Sequence, residues 1–149
     1  MSKSNKLSVL YSKIELESTD DLIILAKLKG GNASIEEIDE LLDTIRVNPN
    51  GGKILDDIKD FENSLITEIK IEIAALEEMV NEYYDDVANI EDKSVQNIRF
   101  ADMKRRYKIH VANADEIIEA MRIAYFQIGN FTQYEDQLYN LKDEFTFFE

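Results

Sequence analysis

Residues 53–128 read KILDDIKDFENSLITEIKIEIAALEEMVNEYYDDVANIEDKSVQNIRFADMKRRYKIHVANADEIIEAMRIAYFQI, 76 positions without a glycine or a proline. Gly51-Gly52 precedes the stretch and Gly129 follows it, three of the five glycines in the chain. Glycine and proline are what most often interrupt a helix, so a bracketed run this long reads as long helix. Its apolar residues fall on a line at Ile54, Ile58, Phe61, Leu65, Ile69, Ile73, Leu76, Val80, Tyr83, Val87 and Ile90. The steps are threes and fours, a heptad pattern with one added four-residue stutter. A second line runs through Phe100, Met103, Tyr107, Val111, Ala114, Ile118, Met121, Tyr125 and Ile128. Each such side chain gains about 1.5–3 kcal/mol on burial, so these helices need partners.

Between the two lines the pattern lapses over Glu91-Asp92-Lys93-Ser94, where Asp92 or Ser94 is placed to cap a new helix. The stretch is therefore expected to be two helices, of about 38 and 35 residues or about 50–60 Å each, folded back as an antiparallel hairpin. Charge agrees: residues 53–92 carry 3 basic and 13 acidic side chains, and residues 93–111 carry 6 basic and 1 acidic. A fold-back near Lys93 sets the basic segment against Glu77, Glu78, Glu82, Asp85 and Asp86. Exposed ion pairs contribute only about 0–1 kcal/mol each, so their role is to fix orientation and register.

Outside this stretch the signals are shorter. Leu7, Val9, Tyr11, Ile14 and Leu16 suit a strand, while Leu7, Leu10, Tyr11 and Ile14 suit a helix face, and both readings stand. Ser18-Thr19-Asp20-Asp21 opens a helix that Gly30-Gly31 closes. Ser34-Ile35-Glu36-Glu37 is a capping box, and Asn48-Pro49-Asn50-Gly51-Gly52 ends the helix it begins. Gly129-Asn130 is expected to end the second long helix, with Thr132-Gln133-Tyr134-Glu135 capping a last one. The fold expected is all-α: a small helical N-terminal module at 1–52, a long coiled-coil-like antiparallel hairpin at 53–129, and a short amphipathic helix with an aromatic tail at 130–149.

The net charge of −14 sets a repulsive field against nucleic acid and anionic membrane. No apolar run approaches the ~18–20 residues of a membrane span, and the start of the chain lacks the apolar core of a signal peptide. With no cysteine there is no disulfide, thiol nucleophile or zinc–thiolate site. A cytoplasmic protein without a cofactor is expected.

Four constellations bear on function. Arg99, Lys104, Arg105, Arg106 and Lys108 surround Tyr107, the cations-beside-an-aromatic composition of a nucleic-acid surface, and the same residues serve to neutralise the acidic helix opposite. His110, the sole histidine, needs Asp115 or Glu116 beside it for acid–base work. Tyr134, Leu138, Phe145, Phe147 and Phe148 suit either a partner groove or the hairpin's own core. Glu36-Glu37-Ile38-Asp39-Glu40 resembles the Glu-Glu-x-x-Glu element of the all-α nucleoside triphosphate pyrophosphohydrolases. That resemblance implies a magnesium site completed by Glu-x-x-Asp on the next helix, where this chain has Asp57-Ile58-Lys59-Asp60, or Glu82-Tyr83-Tyr84-Asp85 further along.

The function expected is a non-enzymatic scaffold, adaptor or assembly protein that binds protein, including a second copy of itself. The residues expected to carry it are Ile58, Phe61, Leu65, Ile69, Leu76, Val80, Tyr83, Met103, Tyr107, Ile118, Met121 and Tyr125 on the helix lines, with the tail aromatics. In layout the chain also resembles viral small terminase subunits, which implies a ring that helps select DNA for packaging. An acidic inhibitor that imitates DNA and, last, the pyrophosphohydrolase are the other readings.

Overall fold

Helices make up all the regular structure among the described residues of this computed structural model, which are 2–126 and 128–148 without the side chains of 128–130. The order is α1 (Lys3–Ser12), α2 (Thr19–Lys29), α3 (Ile35–Val47), α4 (Gly51–Asp85), α5 (Lys93–Arg122) and α6 (Ile128–Asp143). Single 3-10 turns follow α4 at Val87–Asn89 and α6 at Thr146–Phe148.

The N-terminal segment that suited both strand and helix is a helix as far as Ser12, with Ile14 and Leu16 beyond its end. The Ser2 hydroxyl accepts the Asn5 amide at 3.2 Å and caps it, and Leu7 and Tyr11, one turn apart, are its buried residues. At α3 the capping box forms in full. The Glu37 amide donates to Ser34 Oγ and the Ser34 amide donates to Glu37 Oε1, both at 3.1 Å. The turn into α4 uses Asn50 at φ 64° and then Gly51, where a Cβ would lie 1.8 Å from the Ile45 carbonyl oxygen. Only glycine fits there, and α4 accordingly starts at Gly51 itself.

α4 ends at Asp85, before the apolar line lapses, so that Val87 lies in the 3-10 turn and Ile90 just after it. Asn89 Nδ2 donates to the terminal carbonyls of Tyr84 and Asp85 at 3.3 and 3.0 Å. Asp92 Oδ1 accepts the amides of Ser94 and Val95 at 2.9 and 3.4 Å and starts α5, as its position predicts.

The end of α5 departs from the sequence reading. It stops at Arg122 rather than at Gly129. The amides of Ile123 and Ala124 tighten onto the carbonyls of Ala120 and Met121, three residues back, and the Tyr125 amide leaves the helix to donate to Tyr11 Oη at 2.7 Å. A tertiary hydrogen bond thus overrides helix propensity. α6 already runs through Gly129 and Asn130, so Thr132 lies inside a helix instead of capping one. Ile128, the last residue of the second line, has its side chain outside the described set.

The chain divides into two compact units, Met1–Ile66 with Glu119–Phe131, and Thr67–Ile118 with Thr132–Glu149. This grouping divides α4, α5 and α6 and is distinct from the chain breaks near 52 and 129. The first unit holds a core of Ile24, Leu25, Leu28, Leu41, Ile45 and Leu55, with Ile14, Leu16 and Ile38 packed around it. In the second unit Ile69, Ile73, Leu76, Met79, Val87, Met103, Ala114, Ile118, Leu138, Leu141 and Phe145 are buried. Two cross-helix pairs, Glu82–Arg106 and Glu72–His110, occur in opposite order along α4 and α5 within that unit.

Candidate functional site

Every described residue of the two apolar lines is at least half-buried within the single chain. Ile58, Leu65, Ile69, Leu76, Met103, Ile118 and Met121 are buried, and Phe61, Val80, Tyr83, Tyr107 and Tyr125 are half-buried. These residues serve the protein's own core.

The basic cluster is partly neutralised. Glu82 accepts from Arg99 Nη2 at 3.2 Å and from Arg106 Nη2 at 3.1 Å, while Asp102 accepts from Arg105 at 2.7 Å and Arg106 at 3.0 Å. The Arg106 hydrogen bond is the main reason that the Glu82 carboxyl titrates below its ordinary range, and the Arg105 bond does the same for Asp102. Lys104 and Lys108 are exposed and take no part in these pairs.

The tail aromatics gather within the second unit. Phe147 stacks on Tyr83 with centroids 3.9 Å apart and meets Tyr84 edge-on at 6.0 Å. Phe148 meets Phe100 at 5.2 Å, and Phe145, itself buried, lies 4.4 Å from Tyr107. Leu138 is buried, and Tyr134 lies half-buried under Lys70 Nζ, 6.0 Å from its ring centroid. Of the two roles the sequence offers these residues, the contacts seen are those of an internal cap.

The acidic motif does not assemble. Glu37 is held by the capping box and by Lys27 at 2.9 Å, which lowers its carboxyl, and Glu82 is held by its arginines. Among the described residues no group of three or more His, Asp or Glu side chains is placed to hold a metal ion. His110 pairs with neither Asp115 nor Glu116. Its Nδ1 lies 2.7 Å from Glu72 Oε2 of α4, and Asp115 takes Lys142 at 2.6 Å. Sequence spacing has no means of seeing a partner 38 positions away.

Two features were missed from the sequence. The first is a polar node in the core of the first unit. Glu62 is wholly buried, its Oε1 accepts a short hydrogen bond from Tyr11 Oη, and its Oε2 has no hydrogen-bond partner. Tyr11 in turn accepts the Tyr125 amide and stacks on the Tyr125 ring at 3.6 Å. Burial pushes the Glu62 carboxyl above its ordinary value, against the opposing pull of the Tyr11 hydroxyl. Burial, with that carboxylate beside it, also raises the Tyr11 phenol far above the ordinary tyrosine range. Among the described residues the node joins one carboxyl, one phenol and one backbone amide.

The second missed feature lies on the outer face of α5. Val95, Ile98 and Ile109 are 46, 71 and 55 % exposed, on the side of the helix away from Phe100, Met103, Tyr107 and Ala114. The signal in the sequence is a second line of three- and four-residue steps, interrupted by Asp102 and Arg105 and so weaker than the apolar line on the buried face. Comparison of the chain with models of known protein families, with curated proteins and with solved structures gives no match.

Proposed function

We propose that the protein is a non-enzymatic helical scaffold or adaptor that binds other protein through the outer faces of its helices and associates with itself. In this reading the segments of α4 and α5 within 67–118 form an antiparallel coiled-coil-like hairpin, held in register by the Glu82–Arg106 and Glu72–His110 pairs. One observation carries the proposal: α5 is apolar on two faces, one buried, the other presenting Ile98 and Ile109 more than half exposed. An isolated exposed isoleucine needs no explanation, but several at helical spacing on one face mark a contact surface.

The test is the absolute mass in solution, by light scattering after size exclusion, over a wide concentration range and at low and high salt. A mass above that of the monomer, retained in high salt and lost in I98D, supports a contact through this face. A monomer of 17.3 kDa under every condition overturns self-association.

A further inference from the structure

The outward line on α5 is Val95, Ile98, Asp102, Arg105, Ile109 and Ala112, in steps of 3, 4, 3, 4 and 3, all exposed but the half-buried Asp102. At 100° per residue these six side chains fall within an arc of about 100° on one helix face. This is a heptad seam in its own right, and none of its members is buried: Ile98 is 71 % exposed and the Arg105 side chain 74 %. The seam also reads the same way in both directions. Val95 and Ala112, Ile98 and Ile109, and Asp102 and Arg105 are each placed symmetrically about the point between Met103 and Lys104. Two copies of such a helix laid antiparallel set Ile98 against Ile109 twice, and set Asp102 against Arg105 twice.

We propose that a second copy of this chain docks on this seam, so that α5 packs antiparallel against α5 of the partner about a two-fold axis beside Met103 and Lys104. Resting on the scaffold reading above, this names its partner and its register. A two-fold contact needs a surface complementary to itself, the commonest solution among homo-oligomers, and these six residues supply one in both shape and charge. Asp102 and Arg105, which already lie 2.7 Å apart within one chain, become a ring of four alternating charges in the pair. A slip of one heptad either way breaks the charge match and leaves an isoleucine in water, which fixes the register.

The contact extends about 26 Å along the helix, which places it at the small end of specific interfaces. Dimerisation is therefore concentration-dependent. The net charge of −14 per chain opposes it at low ionic strength, so the experiment is run near 0.15 M salt, where the Debye length is about 8 Å.

D102R and R105D are purified separately and checked by circular dichroism for unchanged helicity, since Asp102, which is only half-buried, also pairs with Arg106 in its own chain. Each variant alone sets like charges opposite one another and is expected to weaken dimerisation by about tenfold or more. Mixed, the two restore both pairings, and a heterodimer is expected at the concentration where the wild type dimerises. As an independent register check, I98C and I109C, introduced into a chain with no cysteine of its own, cross-link with each other and not each with itself. If the wild type associates and both charge variants associate equally well, the seam proposal is overturned and the scaffold reading stands on another face. If the variants weaken but their mixture does not recover, the antiparallel register is overturned. A wild type that stays monomeric overturns the seam and self-association together.

Discussion

Tyr11 and Glu62 place a carboxyl group where water cannot reach it, and the consequence is a stability that depends on pH in an unusual direction. A carboxyl whose value is raised by folding holds its proton more tightly in the folded chain. Its contribution is complete below the ordinary carboxyl value of about 4.3 and is lost as the pH rises through the raised one. Glu37, Glu82 and Asp102 act in the opposite sense, since their lowered values favour the folded chain above the ordinary range and cease to do so in acid. E62Q keeps an acceptor for the Tyr11 hydroxyl and removes the charge. Denaturant unfolding of E62Q against the wild type is expected to show a difference in favour of the variant that widens with pH through the acidic range. A difference constant with pH would mean that Glu62 titrates normally. Y11F removes a donor from the wholly buried Glu62 and an acceptor from the part-buried Tyr125 amide. Each such orphan costs about 1–3 kcal/mol, and the loss in Y11F is expected to fall in that range or above.

At the scale of the helix, the starts of α3 and α5 were legible in the sequence, while the start of α6 and the ends of α4 and α5 were not. Ser34 with Glu37, Asp92, and the turn from Asn48 to Gly52 act through neighbours a few residues away, so their spacing alone announces them. S34A should cost about 1 kcal/mol, the usual value of a lost cap. G51A should cost more, because the new Cβ meets the Ile45 carbonyl oxygen at 1.8 Å and backbone rather than a side chain has to give. Chemical denaturation of the two variants in parallel checks that order. The stop at Arg122 was hidden because its cause is Tyr11, 114 residues from Tyr125. The same holds for Glu62, which sits among acidic residues of α4 in the sequence and differs from them only in what folds over it. Of the candidate site, the apolar lines and the basic cluster were legible as composition. Which arginines meet Glu82, and that His110 meets Glu72, required the fold.

For the molecule as a whole, the two apolar lines and the outer seam of α5 answer different questions. An apolar line by itself does not say whether its partner is the same chain or another. Burial does: Leu76 and Met121 are 0 and 2 % exposed within one chain, so charging either of them tests folding. Ile98, at 71 %, loses little to solvent in the monomer when it is changed, and charging it tests association. L76D is expected to lose several kcal/mol, because a buried carboxylate without a partner is added to a lost side chain. Its helical circular dichroism should melt early or without cooperativity. I98D should keep its melting curve within about 0.5 kcal/mol, the usual range for exposed positions, while its mass in solution falls to that of the monomer. Both are single Asp substitutions at apolar helix positions, so helix propensity and net charge change alike, and only the identity of the covering surface separates them. If I98D melts like L76D, the outer seam belongs to the fold of the chain, and the partner has to be sought on another helix.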